Sequence, residues 1–244
     1  MADGSTSSGS VGGSLKNYTA SGTDTYTVNI LGTTAYVDGV AYLIRFTNGN
    51  TTGSDNTAVG SSSLNVNTTG ADNTAVGLLS LAANTTASNN TAVGGCSLFA
   101  NTTGTSNAAF GHLALNANTT ASDNTAVGRE ALVVNTTGCM NTGLGQGTLF
   151  KNTTGDNNTA VGRHALLCNT TADNNTAVGL ESLKVVQGAG NDNTAIGYGS
   201  GCVVTTGDEN VFLGYRAGYT TTTGNCNIAI GPSAFIDAAD TNNS

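Results

Sequence analysis

Tryptophan is absent from this sequence, proline occurs once, at Pro232, and charged residues make up only 9% of it. A globular domain ordinarily carries about 25% charged residues, so neutral polar side chains, chiefly asparagine, threonine and serine, must form the surface. The few charges are mostly negative, with 7 Lys and Arg against 15 Asp and Glu and a formal net charge of −8. Binding nucleic acid by neutralising phosphates needs clustered basic side chains, so no nucleic-acid partner is expected. Long apolar runs are missing too, which excludes a membrane-spanning helix of the usual ~20 residues. The opening residues, MADGSTSSGSVGG, lack both the basic and the apolar regions of a secretory signal. Sparse charge could indicate a disordered chain, but disorder also goes with few β-branched residues, and here Val and Thr are plentiful and regularly placed.

That regularity is an internal repeat. Aligned on the Asn that opens each N-T-A-V-G segment, the units begin at Asn56, Asn73, Asn90, Asn107, Asn124, Asn141, Asn158, Asn175, Asn193, Asn210 and Asn227, spaced by 17 residues with a single 18 after Asn175. Four positions on, a glycine never fails: Gly60, Gly77, Gly94, Gly111, Gly128, Gly145, Gly162, Gly179, Gly197, Gly214 and Gly231. Between them runs an apolar column of Val59, Val76, Val93, Phe110, Val127, Leu144, Val161, Val178, Ile196, Leu213 and Ile230. A second apolar column holds Leu64, Leu81, Leu98, Leu115, Leu132, Leu149, Leu166 and Leu183, then lapses to Gly201 and Gly218. The position before the first apolar column is Ala in most repeats, with Gly143 and Phe212 as exceptions.

A unit of 17 residues is too short for a helical repeat, which runs to about 33 or more, and Thr, Asn, Ser and Gly are poor helix formers. Two short strands per unit joined by tight turns fit better. Glycine supplies the unusual backbone angles at one corner, and Asn-Thr-Thr-Gly supplies turn chemistry at the other. The expected fold is therefore all-β, a parallel β-solenoid of eleven turns, one per repeat. At a strand spacing of about 4.8 Å it makes a rod roughly 50 Å long. Strand alternation places Thr57 and Val59 on one face, and Asn56 and Ala58 on the other. The Val and Leu columns are the expected core, and the Ala column the expected site of close approach between neighbouring chains. Two large apolar side chains per turn make a thin core, which favours an oligomer. Stacked Asn residues are expected to hydrogen-bond from turn to turn.

Catalytic, cofactor and metal chemistry finds no support in the residues. The histidines, His112 and His164, fall three turns apart at different repeat positions, so no Ser-His-Asp arrangement is indicated. The five cysteines, Cys96, Cys139, Cys168, Cys202 and Cys226, are odd in number and lack a C-x-x-C pair, against a disulfide framework or a zinc site. Acidic residues precede the repeat Asn at Asp55, Asp72, Asp123, Asp192 and Glu209. With no D-x-D-x-D pattern they read as solvated turn carboxylates rather than calcium ligands.

The motif N-T-A-V-G-x-x-x-L-x-x-N-T-T-G over residues 56–236 resembles the head repeats of trimeric autotransporter adhesins, the YadA-like left-handed β-roll. It is closer still to the longer variant in tail-fibre and appendage proteins of phages and other large DNA viruses. The resemblance implies a homotrimer with solenoids side by side. Four regions follow: a flexible arm over 1–16, a small β module over 17–53 with strands at 24–30 and 35–46, the repeat array over 54–236, and a tail over 237–244. The 17–53 module resembles attachment modules near the start of phage fibre proteins, which implies docking to other virion proteins.

The function this implies is a non-enzymatic virion component, a fibre, spike or capsid decoration made in the host cytoplasm, displayed on the particle and able to touch a host surface receptor. No membrane insertion is expected. A bacterial adhesin head is the rival; it needs export and a C-terminal anchor, and the chain ends in IDAADTNNS after starting at Met1. Ice binding is a third reading, from Thr columns such as Thr68, Thr85, Thr102 and Thr119. Adjacent Thr residues of an extended strand face opposite ways, so a flat two-Thr array is not expected.

Overall fold

A computed structural model describes residues 13–19, 26–32 and 52–235. β1 (Gly13–Thr19) and β2 (Tyr26–Gly32) form an antiparallel pair, in register from Gly13–Gly32 to Thr19–Tyr26. β2 overlaps the expected strand at 24–30, while β1 includes residues 13–16, which composition assigned to the flexible arm. The expected strand at 35–46 and the tail at 237–244 lie outside the described residues.

The array then supplies one three-residue strand per repeat. These are β3 (Thr57–Val59), β4 (Thr74–Val76), β5 (Thr91–Val93), β6 (Ala108–Phe110), β7 (Thr125–Val127), β8 (Thr142–Leu144), β9 (Thr159–Val161), β10 (Thr176–Val178), β11 (Thr194–Ile196), β12 (Val211–Leu213) and β13 (Ile228–Ile230). They form one 11-stranded parallel sheet in sequence order, like residue against like: Thr57 opposite Thr74, Ala58 opposite Ala75, Val59 opposite Val76. The described residues contain no helix. The fold is an all-β parallel solenoid, as the repeat length predicts.

The expectation of two strands per repeat needs correction: the second segment is a chain of tight turns. The Leu column sits in the left-handed region, with φ 48° at Leu64 and 53° at Leu132, and the residue two positions earlier does the same, with φ 56° at Ser62 and 59° at Glu130. Such angles cost a non-glycine residue roughly 1–2 kcal/mol. They persist because each turn is hydrogen-bonded to the next here as well, with Leu64 N donating to Ser80 O at 3.0 Å and Leu79 N to Ser61 O at 2.9 Å. The repeat glycine is held harder. Gly60 has φ 132°, and a Cβ there would stand 2.5 Å from the carbonyl oxygen of Gly77 in the next turn. Turns meet backbone to backbone at this corner, so no side chain fits.

The interior is not the one expected. Ala58, Ala75, Ala92, Ala109, Ala126, Ala160, Ala177, Ala195 and Ala229 point inward and are buried against the Leu column. Val59, Val76, Val93, Phe110, Val127, Leu144, Val161, Val178, Ile196, Leu213 and Ile230 leave the strands on the outer face, and none is buried. Alternation fixed which residues share a face, but size decided which face turns inward. The opposing wall already carries Leu, and the narrow space left over admits Ala rather than Val. The Ala column is thus core, not a surface for neighbouring chains.

The exceptions to the columns confirm that the cross-section is conserved in volume. Phe212 occupies the Ala position of β12 and is wholly buried. It fills the space vacated by Gly201 and Gly218, since a Cβ on Gly201 would lie 2.7 Å from Phe212 Cδ2, and one on Gly218 would overlap the same ring. Gly143 is matched by Thr148, whose Oγ1 would stand 2.7 Å from an added Cβ. The one 18-residue spacing is absorbed at an outer corner, where Gln187, Gly188 and Ala189 are exposed while Thr176 still pairs with Thr194. Phe212→Ala should cost about 3–5 kcal/mol by thermal or chemical unfolding. Adding Gly201→Leu and Gly218→Leu to it should recover most of that loss, whereas either leucine alone beside Phe212 should destabilise by overpacking.

Candidate functional surfaces and the asparagine ladders beneath them

Two Asn ladders run along the interior, the first through the whole array and the second as far as Asn169. In the first, Asn73 donates from both its backbone N–H (3.0 Å) and its Nδ2 (3.1 Å) to Asn56 Oδ1 in the turn before. The backbone bond recurs at every step to Asn227, which donates to Asn210 Oδ1 at 3.0 Å. In the second, Asn84 donates from Nδ2 to Asn67 Oδ1 at 2.8 Å, and the series continues to Asn169, which donates to Asn152 Oδ1 at 2.7 Å. The ladders converge on one carbonyl per turn. Gly70 O accepts from Asn56 Nδ2 at 2.7 Å and from Asn67 Nδ2 at 2.9 Å. Buried amides left unpaired are costly, and this arrangement pairs nearly all of them. The second ladder stops where Val186 and then Val204 take the position, which leaves Asn169 Oδ1 buried without a partner. The first column marks the start of each repeat in the sequence; the second recurs as strictly through Asn169, in the N-T-T triplets at the turn.

Outside, the corners carry their own series. Thr68, Thr85, Thr102, Thr119, Thr136, Thr153 and Thr170 are half-buried, and each of the residues that follow, from Thr69 to Thr171, is exposed. Both columns therefore point outward, which corrects the expectation that neighbouring threonines face opposite ways. They lie in a turn between buried Asn67 and buried Gly70, not in a strand. The inner hydroxyls are used within the stack, with Thr68 Oγ1 donating to Thr85 O at 2.9 Å and Thr136 Oγ1 to Thr153 O at 2.9 Å. At the next corner, later turns carry a ladder of acidic and amide side chains that accept backbone N–H groups. Asp156 N donates to Asp173 Oδ1, Asn191 N to Asp208 Oδ1, and Asp208 N to Asn225 Oδ1, all at 2.7 Å. Asp55, Asp72, Asp123, Asp192 and Glu209 stand exposed beside it in left-handed turns. Among the described residues no group of three or more His, Cys, Asp or Glu side chains could hold a metal ion.

The outer sheet face carries a column of apolar side chains. Val59, Phe110, Val127, Leu144, Ile196, Leu213 and Ile230 are each between 38% and 64% exposed, in one line along the stack. Near the end of the array a different cluster forms beyond the glycine corner. Tyr198 and Tyr215 stack at 5.4 Å between centroids with 13° between planes, and the Arg216 guanidinium lies 5.8, 5.5 and 5.2 Å from the rings of Tyr198, Tyr215 and Tyr219. Cys202 borders the same cluster, and burial with Glu181 nearby pushes its thiol pKa up. A hydrogen bond to Glu209 does the same for Cys226. A nucleophilic cysteine needs the opposite shift. His164 is held below the usual value by burial and by Arg163.

No family model, curated protein or solved structure matches the chain.

The ladders make a graded prediction. Asn135 donates to Asn118 Oδ1 and accepts from Asn152 Nδ2, so Asn135→Ala breaks contacts to both neighbouring turns. Asn169 Nδ2 donates to the turn before and to Ala172 O of its own turn, but its Oδ1 accepts nothing from the turn that follows. In denaturant unfolding, Asn135→Ala should cost about 1–3 kcal/mol and Asn169→Ala about 1 kcal/mol less.

Proposed function

We propose that the chain is a non-enzymatic rod of a virion appendage, a phage fibre, spike or capsid decoration, assembled as a homotrimer through the outer face of its sheet. The observation that carries the assembly is the continuous line of apolar side chains from Val59 to Ile230, none of them buried and most of them exposed. A soluble single chain rarely leaves so long an apolar line uncovered. A strip roughly 50 Å long needs a width of only about 16 Å to reach the ~800 Å² per partner of a standard interface, and a strand with its flanking turns provides that. A second copy presents the same line at the same spacing, so identical residues meet along the whole length. The threefold number, the virion setting and attachment to other virion proteins through the 17–53 module rest on the resemblance of the repeat. Contact with a host receptor rests on the same ground, as does assembly after synthesis in the host cytoplasm.

A second reading, ice binding, is favoured by the two outward Thr columns, from Thr68 and Thr69 to Thr170 and Thr171. Thermal hysteresis of the purified protein separates the two, since a virion rod gives none.

Light scattering of the full chain should return three times the 24.1 kDa protomer. Val127→Asp, which puts a charge on the outer face without touching the interior, should lower that mass to one protomer and keep the β signal in circular dichroism. A monomeric parent chain, or a Val127→Asp variant that stays trimeric, contradicts assembly through this face. Antibody labelling of intact particles tests the virion setting separately.

A further inference from the structure

All three tyrosines that follow residue 52 in the sequence are gathered at one place, Tyr198, Tyr215 and Tyr219, around Arg216. They are 39%, 51% and 45% exposed. Core packing therefore does not explain them: the interior of these turns is filled by Phe212, Val204 and Ala217. Tyr198 and Tyr219 border a shallow cleft of about 250 Å³ whose lining includes Glu181, Lys184, Cys202 and Arg216. Lys184 pairs with Glu181 at 3.1 Å, whereas among the described residues Arg216 has no carboxylate within ion-pair distance. The cleft thus offers flat aromatic faces, hydroxyl and carboxylate hydrogen-bonding groups at its edge, and a guanidinium with no acidic partner, on a chain whose net charge is −8.

We propose that this cleft binds a saccharide carrying a carboxylate. Aromatic faces present large, rigid, amphipathic contact area, which suits the C–H face of a pyranose ring. A guanidinium recognises a carboxylate with two parallel hydrogen bonds, and the tyrosine hydroxyls with the Glu181–Lys184 pair serve the sugar hydroxyls, both as donors and as acceptors. A cationic ligand is disfavoured because the Arg216 guanidinium repels it. A nucleic-acid strand is disfavoured because the chain's net charge is −8 and the cleft's basic groups are Arg216 and a Lys184 already paired with Glu181. The site lies beyond the glycine corner from the outer sheet face and stands independently of the proposed virion role.

The test is a titration of the full chain, by calorimetry and by saturation-transfer NMR on the sugar protons. The acidic probes are sialyllactose and digalacturonate, and the neutral probes are lactose and maltotriose. At least one acidic probe should bind saturably, at least tenfold more tightly than its neutral counterpart. Arg216→Gln should remove that preference, and Tyr219→Ala should weaken binding at least tenfold. Both side chains are exposed, so circular dichroism and melting should stay as in the parent. The proposal is overturned if neither acidic probe binds at millimolar concentration. It is equally overturned if neutral and acidic probes bind alike, or if both variants bind as the parent does.

Discussion

Each turn of the solenoid has to repeat the one beneath it at a strand spacing of about 4.8 Å, and that translation governs every other feature. It brings Asn Oδ1 under the N–H of the next Asn, one threonine hydroxyl under the next carbonyl, and one glycine against the backbone of the next. A lone buried amide would be a liability. Stacked in register, it becomes a continuous hydrogen-bonded column, and each added turn satisfies the one before. The left-handed Leu residues illustrate the same dependence: angles that an isolated turn would reject are held because neighbouring turns share them.

Because the period is fixed, variation has to be compensated within the cross-section. Phe212 stands for two missing leucines, Thr148 fills the gap at Gly143, and the extra residue near Gln187 is pushed to an outer corner. Where compensation is incomplete the cost is local, as at Asn169 Oδ1 beside Val186, and at Asn227, whose side-chain amide is buried without a partner among the described residues.

The period, the parallel stacking, the Asn ladder and the glycine corner were legible in the sequence because each follows from recurrence alone. What was not legible depends on which side of a three-residue strand faces in. Alternation grouped Thr57 with Val59 and Asn56 with Ala58 correctly, yet hydrophobicity ranked Val above Ala and so named the wrong interior column. The deciding quantity was the room left by Leu64 and its successors, which no single repeat displays. The outward Thr pairs were misjudged for a related reason: strand alternation was applied to a turn. The glycine-rich segments at 197–201 and 214–218 stand out in the sequence, but the contact of Tyr198 with Tyr215 and Arg216 does not, because it joins turns 17 residues apart. The repeat position shared by Tyr198 and Tyr215 was the available signal.

The central claim, that one 17-residue turn is the unit of both fold and hydrogen bonding, is tested most directly by comparing two deletions in thermal unfolding followed by circular dichroism. Removing residues 107–123 takes out one whole turn and should leave a single cooperative transition within a few degrees of the parent. Removing 107–114 instead throws every later column out of register and should abolish that transition. Equal tolerance of the two deletions, or loss of β structure on removing the whole turn, would contradict the account.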